Sequence, residues 1–490
     1  MTGEDQTFVY RRIVKATGLF GGVQFLNIVC SVIKNKVIAV WLGAEGVGII
    51  RLFGMSVDMV TSLTGLGLRS SSVRDISKAE ADGNATIIST IITVVRRWSW
   101  FAGLLGAVVL LSLAPVLSRM VFHDSSYTWG YVFLSCALLF NALFAGEQAI
   151  LQGTRQLKVL AKSSVTGTFL SLIISVPLYY FFGIKGIVPS FVLSSLASLV
   201  AILFYRRRRF DKEQLTLAQT YLKGKPIAVL GIFMTVSSFI TTLFQLIFNS
   251  YVTYRSGMAG EGFYQAGLTL VDKYVGLVFI AMSAEYFPRL AAASDNNASM
   301  EKSVNQQAEI SLLMLIPGIC LFIVLQECII RLLYTADFLV VKDYLLFAAP
   351  GILLKAVSWA IGYVFIAKGA SKLFLFSELI SSVITLACNV FLYSFFNLYG
   401  LGFAFLLNFA LYLAGIWYLA YRYYSLKLER GVMLYLFGGL ASALFISLLL
   451  YYSPGLIGYM LTGGFTVVIF FITLKRLLKL IGNKERGKNE

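Results

Sequence analysis

Five basic residues lie within long apolar stretches of the chain: Lys34, Lys36, Arg51, Lys273 and Lys355. Near the centre of a bilayer a Lys or Arg costs about 2.5 to 3.5 kcal/mol on insertion scales, so each must face a wet cavity, meet a counter-ion or reach the interface. Reaching the interface is open to Lys34, Lys36 and Arg51, each within about 10 Å of an outer helix end, but hard for Lys355, about 16 Å from either end of its segment. The chemistry on offer is recognition of an anion by charge and by N–H donation. Three acids share these stretches, Asp58, Glu147 and Asp272. Each either binds a proton or cation in a coupling or gating step, or neutralises a neighbouring base.

Polar residues accompany the charges at helical spacing. Gln24, Asn27, Ser31 and Lys34 recur three and four apart and so form one stripe; Ser238, Thr242, Gln245 and Asn249 repeat it. Arg51 and Asp58 are seven apart on one face, as are Gln265 and Asp272. Gln24, Asn27, Ser31, Gln245, Asn249 and Gln265 are therefore expected to line a polar cavity, or else to hold helices together by hydrogen bonds. Cys30, Cys136, Cys320, Cys328 and Cys388 lack metal or redox spacing and read as small apolar fillers, and His123 stands alone. No metal and no cofactor is expected, and no Walker A loop is present to bind ATP. Transport would then be driven by a gradient, with a proton or cation as the coupling ion, or by downstream consumption of the product.

The elements that carry these residues must be membrane helices. With 58% hydrophobic and 13% charged residues and a mean hydropathy of +0.79, the 490-residue chain is expected to be an all-α polytopic membrane protein. About fourteen apolar segments, each long enough to cross a ~30 Å core, follow one another from Ile13 to Leu480. The first lacks a convincing cleavage site and is expected to remain as a helix. A net charge of +17 would suggest nucleic acid in a soluble protein, but position decides here: 31 of the 41 Lys and Arg fall in connections and tails on one side. Only Arg119, Lys185, Arg255, Arg331 and Lys342 fall on the other. Both termini are thus expected in the cytoplasm, with Arg11, Arg12, Arg96, Arg97 and the run Arg206 to Arg209 as topology anchors facing anionic lipids. Membrane lipids are expected partners and nucleic acid is not.

The chain also repeats itself. Gly46-Val-Gly-Ile-Ile-Arg51 realigns 214 residues on with Gly260-Glu-Gly-Phe-Tyr-Gln265, and in that register Asp58 meets Asp272. Near an offset of 216, Gln152-Gly-Thr154 falls on Lys368-Gly-Ala370 and Gly186 on Gly402. Two pseudo-symmetric six-helix lobes are expected, residues 1–206 and 226–425, joined by a basic cytoplasmic linker, 207–225. Both would enter the membrane in the same direction, with the site between them. Residues 426–480 form an extra helix pair and 481–490 a cytoplasmic tail.

These residues resemble the multidrug/oligosaccharidyl-lipid/polysaccharide exporter superfamily, and within it the Wzx-type flippases of O-antigen and enterobacterial common antigen. The resemblance covers nearly the whole chain. Its most specific pieces are Lys36-Val-Ile-Ala-Val-Trp-Leu-Gly43 leading into Gly46-Val-Gly48, Tyr264-Gln265 with Asp272 and Pro288-Arg-Leu290, and Leu354-Lys-Ala-Val-Ser-Trp-Ala-Ile-Gly-Tyr-Val-Phe-Ile-Ala-Lys368. Lys36, Gln265, Asp272 and Lys355 carry over individually. The resemblance implies a V-shaped, inner-membrane transporter rather than an enzyme. Its cationic cavity would receive an undecaprenyl-diphosphate-linked oligosaccharide and work by alternating access, alongside polysaccharide polymerase machinery. The competing classes are a drug or organic-cation antiporter of the same fold, served by the acids, and a non-transporting scaffold for envelope-polymer assembly. The extra helix pair departs from twelve-helix Wzx chains and is similar to the fourteen-helix lipid II flippase branch.

Overall fold

The computed structural model describes residues 26–486, apart from 66, 82–84, 155, 207–214, 454 and scattered positions between 274 and 295. Every regular element among them is a helix: α1 (26–41), α2 (Gly43–Thr64), α3 (Leu68–Ala81), α4 (Ala85–Phe122), α5 (Thr128–Gly153), α6 (Leu157–Phe182), α7 (Ile187–Tyr205) and α8 (Leu217–Leu268). Helical residues between 276 and 290 lead to α9 (Asn297–Leu333), α10 (Val341–Ala367), α11 (Ser371–Tyr424), α12 (Arg430–Tyr452) and α13 (Leu456–Arg486). Nine helical stretches among the described residues are long and apolar enough to cross a membrane. Two of them, Lys158–Tyr205 and Lys372–Tyr424, run 48 and 53 residues, more than twice what a ~30 Å core needs at 1.5 Å per residue. Each is broken by a residue of positive φ, Gly183 in the first and Asn397 in the second.

Those two breaks are the same break. Gly183 has φ 54° and ψ −133°, and Asn397, 214 residues later, has φ 48° and ψ −131°. The match extends on both sides: the residues preceding α6 and α11, Gln156 and Ala370, share φ −80° with ψ 52° and 51°. Gly186 and Gly400 each lie where a Cβ would meet the carbonyl oxygen eight residues back, Leu178 at 2.3 Å and Leu392 at 2.1 Å. The sequence alignment at 216, which paired Gly186 with Gly402, is thus corrected to 214 in this region. Glycine is common enough in these loops to support a two-residue slip, whereas backbone dihedrals are not so easily matched.

Two compact units divide the chain after Gly262. In the first, α2 buries Ile49, Leu52, Phe53, Met55 and Val60 against Leu110 of α4 and Tyr131 and Leu138 of α5. The buried Tyr131 hydroxyl meets Ser56 Oγ at 2.8 Å, which satisfies both polar atoms inside the core. His123, given no role from sequence, donates from Nε2 to the Ser250 carbonyl oxygen at 3.0 Å and packs at a tilt against Tyr254, tying the turn after α4 to α8.

The repeated glycines meet within this unit. A Cβ on Gly48 would lie 2.1 Å from the Met258 carbonyl oxygen, and one on Gly262 would lie 1.8 Å from that of Ala44. The contacts are reciprocal, because Ala44 and Gly48 correspond to Met258 and Gly262 at the 214-residue offset. Gly43 and Gly257, equivalent again, open their segments with φ 64° and 70°. Small residues here let two backbones approach as closely as the crossing demands. Gly262→Ala should therefore destabilise the protein by about 1 to 3 kcal/mol through overpacking against a backbone atom that cannot rotate away. Gly438→Ala in α12, where the added methyl meets nothing within 4 Å, should be neutral or slightly stabilising. Thermal unfolding of the two purified variants compares them directly.

The second unit is organised around α10, from which Leu353, Ala356, Val357, Ala360, Ile361 and Val364 are completely buried. The extra pair packs here: Arg476 of α13 bonds Glu309 of α9 at 3.0 Å, and Tyr459 donates to Glu327 at 3.2 Å. These two anchors sit 18 residues apart on α9, about 27 Å, so α13 is pinned near both ends of one crossing.

Candidate functional site

Asp272 and Lys355, 83 positions apart, are brought together in the second unit, where the Lys355 ammonium donates to the Asp272 carboxylate. Asp272 lies in a π-helical turn, Thr269–Lys273, whose wider backbone re-aims the side chains after α8. Two rings bracket the ammonium, Phe409 at 5.4 Å and Phe279 at 6.0 Å to the centroids. Aromatic faces attract a cation without neutralising it, so they hold Lys355 in place while leaving it able to bind an anion. The lysine side chain is 22% exposed and the aspartate 51%, so the pair is accessible rather than sealed. An incoming anion can therefore compete with Asp272 for Lys355. Close by in sequence, Gln265 is buried. The fully buried Tyr344 ring stacks edge-on with Tyr264 at 5.8 Å.

The other candidates lie in the first unit and differ in what they do. Lys34 and Lys36 on α1 are both half-buried. Two residues apart on a helix, they point about 200° from each other and cannot both aim at one spot without bending. Asn27 accepts a hydrogen bond from Thr168 of α6 at 2.9 Å, so this part of the stripe holds helices together, while Ser31 is exposed. Arg51 is half-buried, and its Nε has no hydrogen-bond partner among the described residues. Asp58, two turns along the same face, is exposed. On α8 Asn249 is buried and donates to the Met55 sulfur at 2.8 Å, whereas Gln245 is exposed. Gln24 and the Lys273 side chain lie outside the described residues.

Glu147 is engaged by two guanidinium groups. Arg96 of α4 holds both carboxylate oxygens, at 2.8 and 3.2 Å, and Arg206 after α7 adds a third bond at 2.7 Å. Both arginines read from sequence as topology anchors, yet here, part-exposed themselves, they close over the buried Glu147 carboxylate. The neighbouring Arg97 donates to Leu215 O and Thr220 Oγ1, each at 2.7 Å, fastening the chain at the start of α8 to α4. Separations of 51 and 59 residues left no sequence signal for Glu147's partners. The aromatic residues beside Lys355 were also missed as site residues, although the four-residue steps from Lys355 to Trp359 and Tyr363 stood in the sequence.

The family profile described as polysaccharide biosynthesis protein matches residues 37–343. A search of curated protein sequences gives no match. Among solved structures, the chain is similar to an inward-facing multidrug resistance MATE family transporter of the MOP superfamily, with a TM-score of 0.70 at 15% identity over 82% of this chain and 94% of that one. It is also similar to the lipid II flippase MurJ in an inward closed conformation, with a TM-score of 0.69 at 13% identity over 94% and 99% of the two chains. At these identities the likeness establishes the fold, while the profile, spanning well over half the chain, establishes the family. The chain is a multi-pass membrane protein, all-α among its described residues, that belongs to the polysaccharide biosynthesis protein family and is similar in fold to these two transporters.

Proposed function

We propose that this protein is a flippase that moves an undecaprenyl-diphosphate-linked oligosaccharide, an O-antigen or related repeat unit, from the cytoplasmic to the periplasmic leaflet by alternating access. The observation that carries the reading is the accessible Lys355–Asp272 pair, with two rings near the ammonium, at the one open face of a helix whose other faces are buried from Tyr344 to Phe365. A diphosphate is a stronger multivalent acceptor than one carboxylate and competes for the ammonium. Lys34, Lys36, Arg51 and Lys273 are the further basic residues proposed to attract the headgroup, Lys34 and Lys36 as alternatives on opposite faces of α1 rather than together. The lobes 1–206 and 226–425 move about the linker 207–225 in the inner membrane, with both termini cytoplasmic. Asp58 and Asp272 are the candidates for any proton or cation coupling. The same geometry disfavours an organic-cation antiporter, because Asp272 and Glu147 already engage bases.

The test is translocation in proteoliposomes, following a fluorescent undecaprenyl-diphosphate sugar from one leaflet to the other. Flipping by the wild-type protein and none by empty liposomes is the expected result. Transport of organic cations with no movement of the lipid would overturn the reading. Asp272→Asn adds a finer prediction: with its competitor removed, Lys355 should bind undecaprenyl diphosphate several-fold more tightly and release it more slowly, lowering turnover. The fold should change by no more than about 1 kcal/mol, since the lost pair is half-exposed.

A further inference from the structure

From Tyr344 to Phe365, α10 is buried except at four positions, Phe347, Lys355, Trp359 and Tyr363. Their spacing of eight, four and four places them on one face, and Gly351 completes the step between the first two. The helix is thus sealed by protein on every side but one. The open stripe from Lys355 to Tyr363 spans about 12 Å and consists of a cation followed by two aromatic rings.

A wall of further rings fixes those two. Trp359 lies 5.4 Å from Phe279 and 5.6 Å from Tyr286, while Tyr363 lies 5.9 Å from Tyr286 and 5.7 Å from Phe287. Tyr286 is itself fully buried and donates to the Ala360 carbonyl oxygen at 2.7 Å, locking this wall to α10. Trp359 and Tyr363 therefore present rigid, part-exposed surfaces with little rotamer freedom left to lose on binding. The stripe is unsuited to bare hydrocarbon, because its first member is an ammonium paired with a half-exposed carboxylate.

We infer that Trp359 and Tyr363 form a sugar-stacking platform that holds the first saccharides of the cargo while Lys355 binds its diphosphate. This rests on the flippase reading and deepens it. A pyranose presents a face of weakly positive C–H groups, which complements the negative face of an aromatic ring, and its edge hydroxyls stay in water. In a diphosphate-linked oligosaccharide the sugars begin one bond from the phosphate, so a ring platform next to the cation meets them first. Stacking selects for a saccharide without requiring one pattern of hydroxyls.

The test uses the full-length protein in lipid nanodiscs with two probes. One is undecaprenyl diphosphate; the other is the undecaprenyl-diphosphate-linked oligosaccharide extracted from cells lacking this protein. The double variant Trp359→Leu with Tyr363→Leu, which keeps the site apolar, should bind the sugar-bearing lipid about tenfold more weakly and the sugar-free lipid within about twofold of wild type. Its retained affinity for the sugar-free lipid doubles as the folding control. Trp359→Phe with Tyr363→Phe, which restores ring faces, should recover most of the loss. Equal weakening toward both probes would show that the rings contact the prenyl chain or support the fold, and would overturn the platform, as would no change toward either. If wild-type protein binds neither probe, the flippase reading itself falls.

Discussion

Export of surface polysaccharide should cease, or fall steeply, on Lys355→Ala in a cell where this protein is the only flippase. Lys355 lies midway along α10, and its ammonium is the charge-assisted donor offered to an anion beside Asp272. Hydrogen bonds to charged groups contribute about 1.5 to 3 kcal/mol, so losing this donor weakens diphosphate binding roughly ten- to hundredfold. The fold should survive. Alanine is the best helix former, and the abandoned Asp272 is 51% exposed, so water can take over its solvation. Lys355→Arg keeps the charge but puts a planar fork between Phe279 and Phe409, and should retain only part of the activity. Normal surface polysaccharide in the alanine strain, with the protein at its usual level in the membrane, would remove Lys355 from the mechanism.

Glu147→Ala should markedly destabilise the first unit. Its carboxylate is 8% exposed and joins Arg96 of α4 to Arg206 after α7, so removing it leaves two guanidinium groups facing each other. Breaking a buried pair from one side costs about 3 to 5 kcal/mol, and the arginines, 34% and 30% exposed, place this case toward the lower end. The expected readouts are a fall of several degrees in the unfolding midpoint and a lower yield of membrane-inserted protein. Glu147→Gln, isosteric but uncharged, should show most of the same defect. The opposing role, proton or cation coupling, predicts an intact Glu147→Gln protein whose flipping has lost its pH or ion response; that result would refute the structural assignment. Arg96→Ala should be milder, because Arg206 still answers the carboxylate.

Some of the site was readable before any coordinates. Lys355 was singled out by its depth in an apolar segment, a cost that holds whatever surrounds it, and Asp272 by its place in the repeat. The divergence of Lys34 and Lys36 also follows from helical geometry alone. The polar stripe of α1 was legible as a stripe, but not its division of labour, in which Asn27 bonds Thr168 while Ser31 stays exposed. The repeat was found through its glycines, although the 216 offset needed the matched breaks at Gly183 and Asn397 to correct it to 214.

The sequence by itself determined that the chain is helical, membrane-spanning and internally repeated, and which charges are costly. Each of these is a local property, set by apolar run length, by 3.6-residue periodicity and by the desolvation of a single side chain. Only the tertiary structure decided which charge answers which: Lys355 with Asp272, and Glu147 with Arg96 and Arg206 rather than with a cavity base. It also decided that α10, from Tyr344 to Phe365, is closed on every face but the one bearing Phe347, Lys355, Trp359 and Tyr363. Such choices depend on how each helix is rotated about its own axis against its neighbours. A rotation of 100° exchanges one residue for the next at a contact, and nothing in a single helix's sequence fixes that angle.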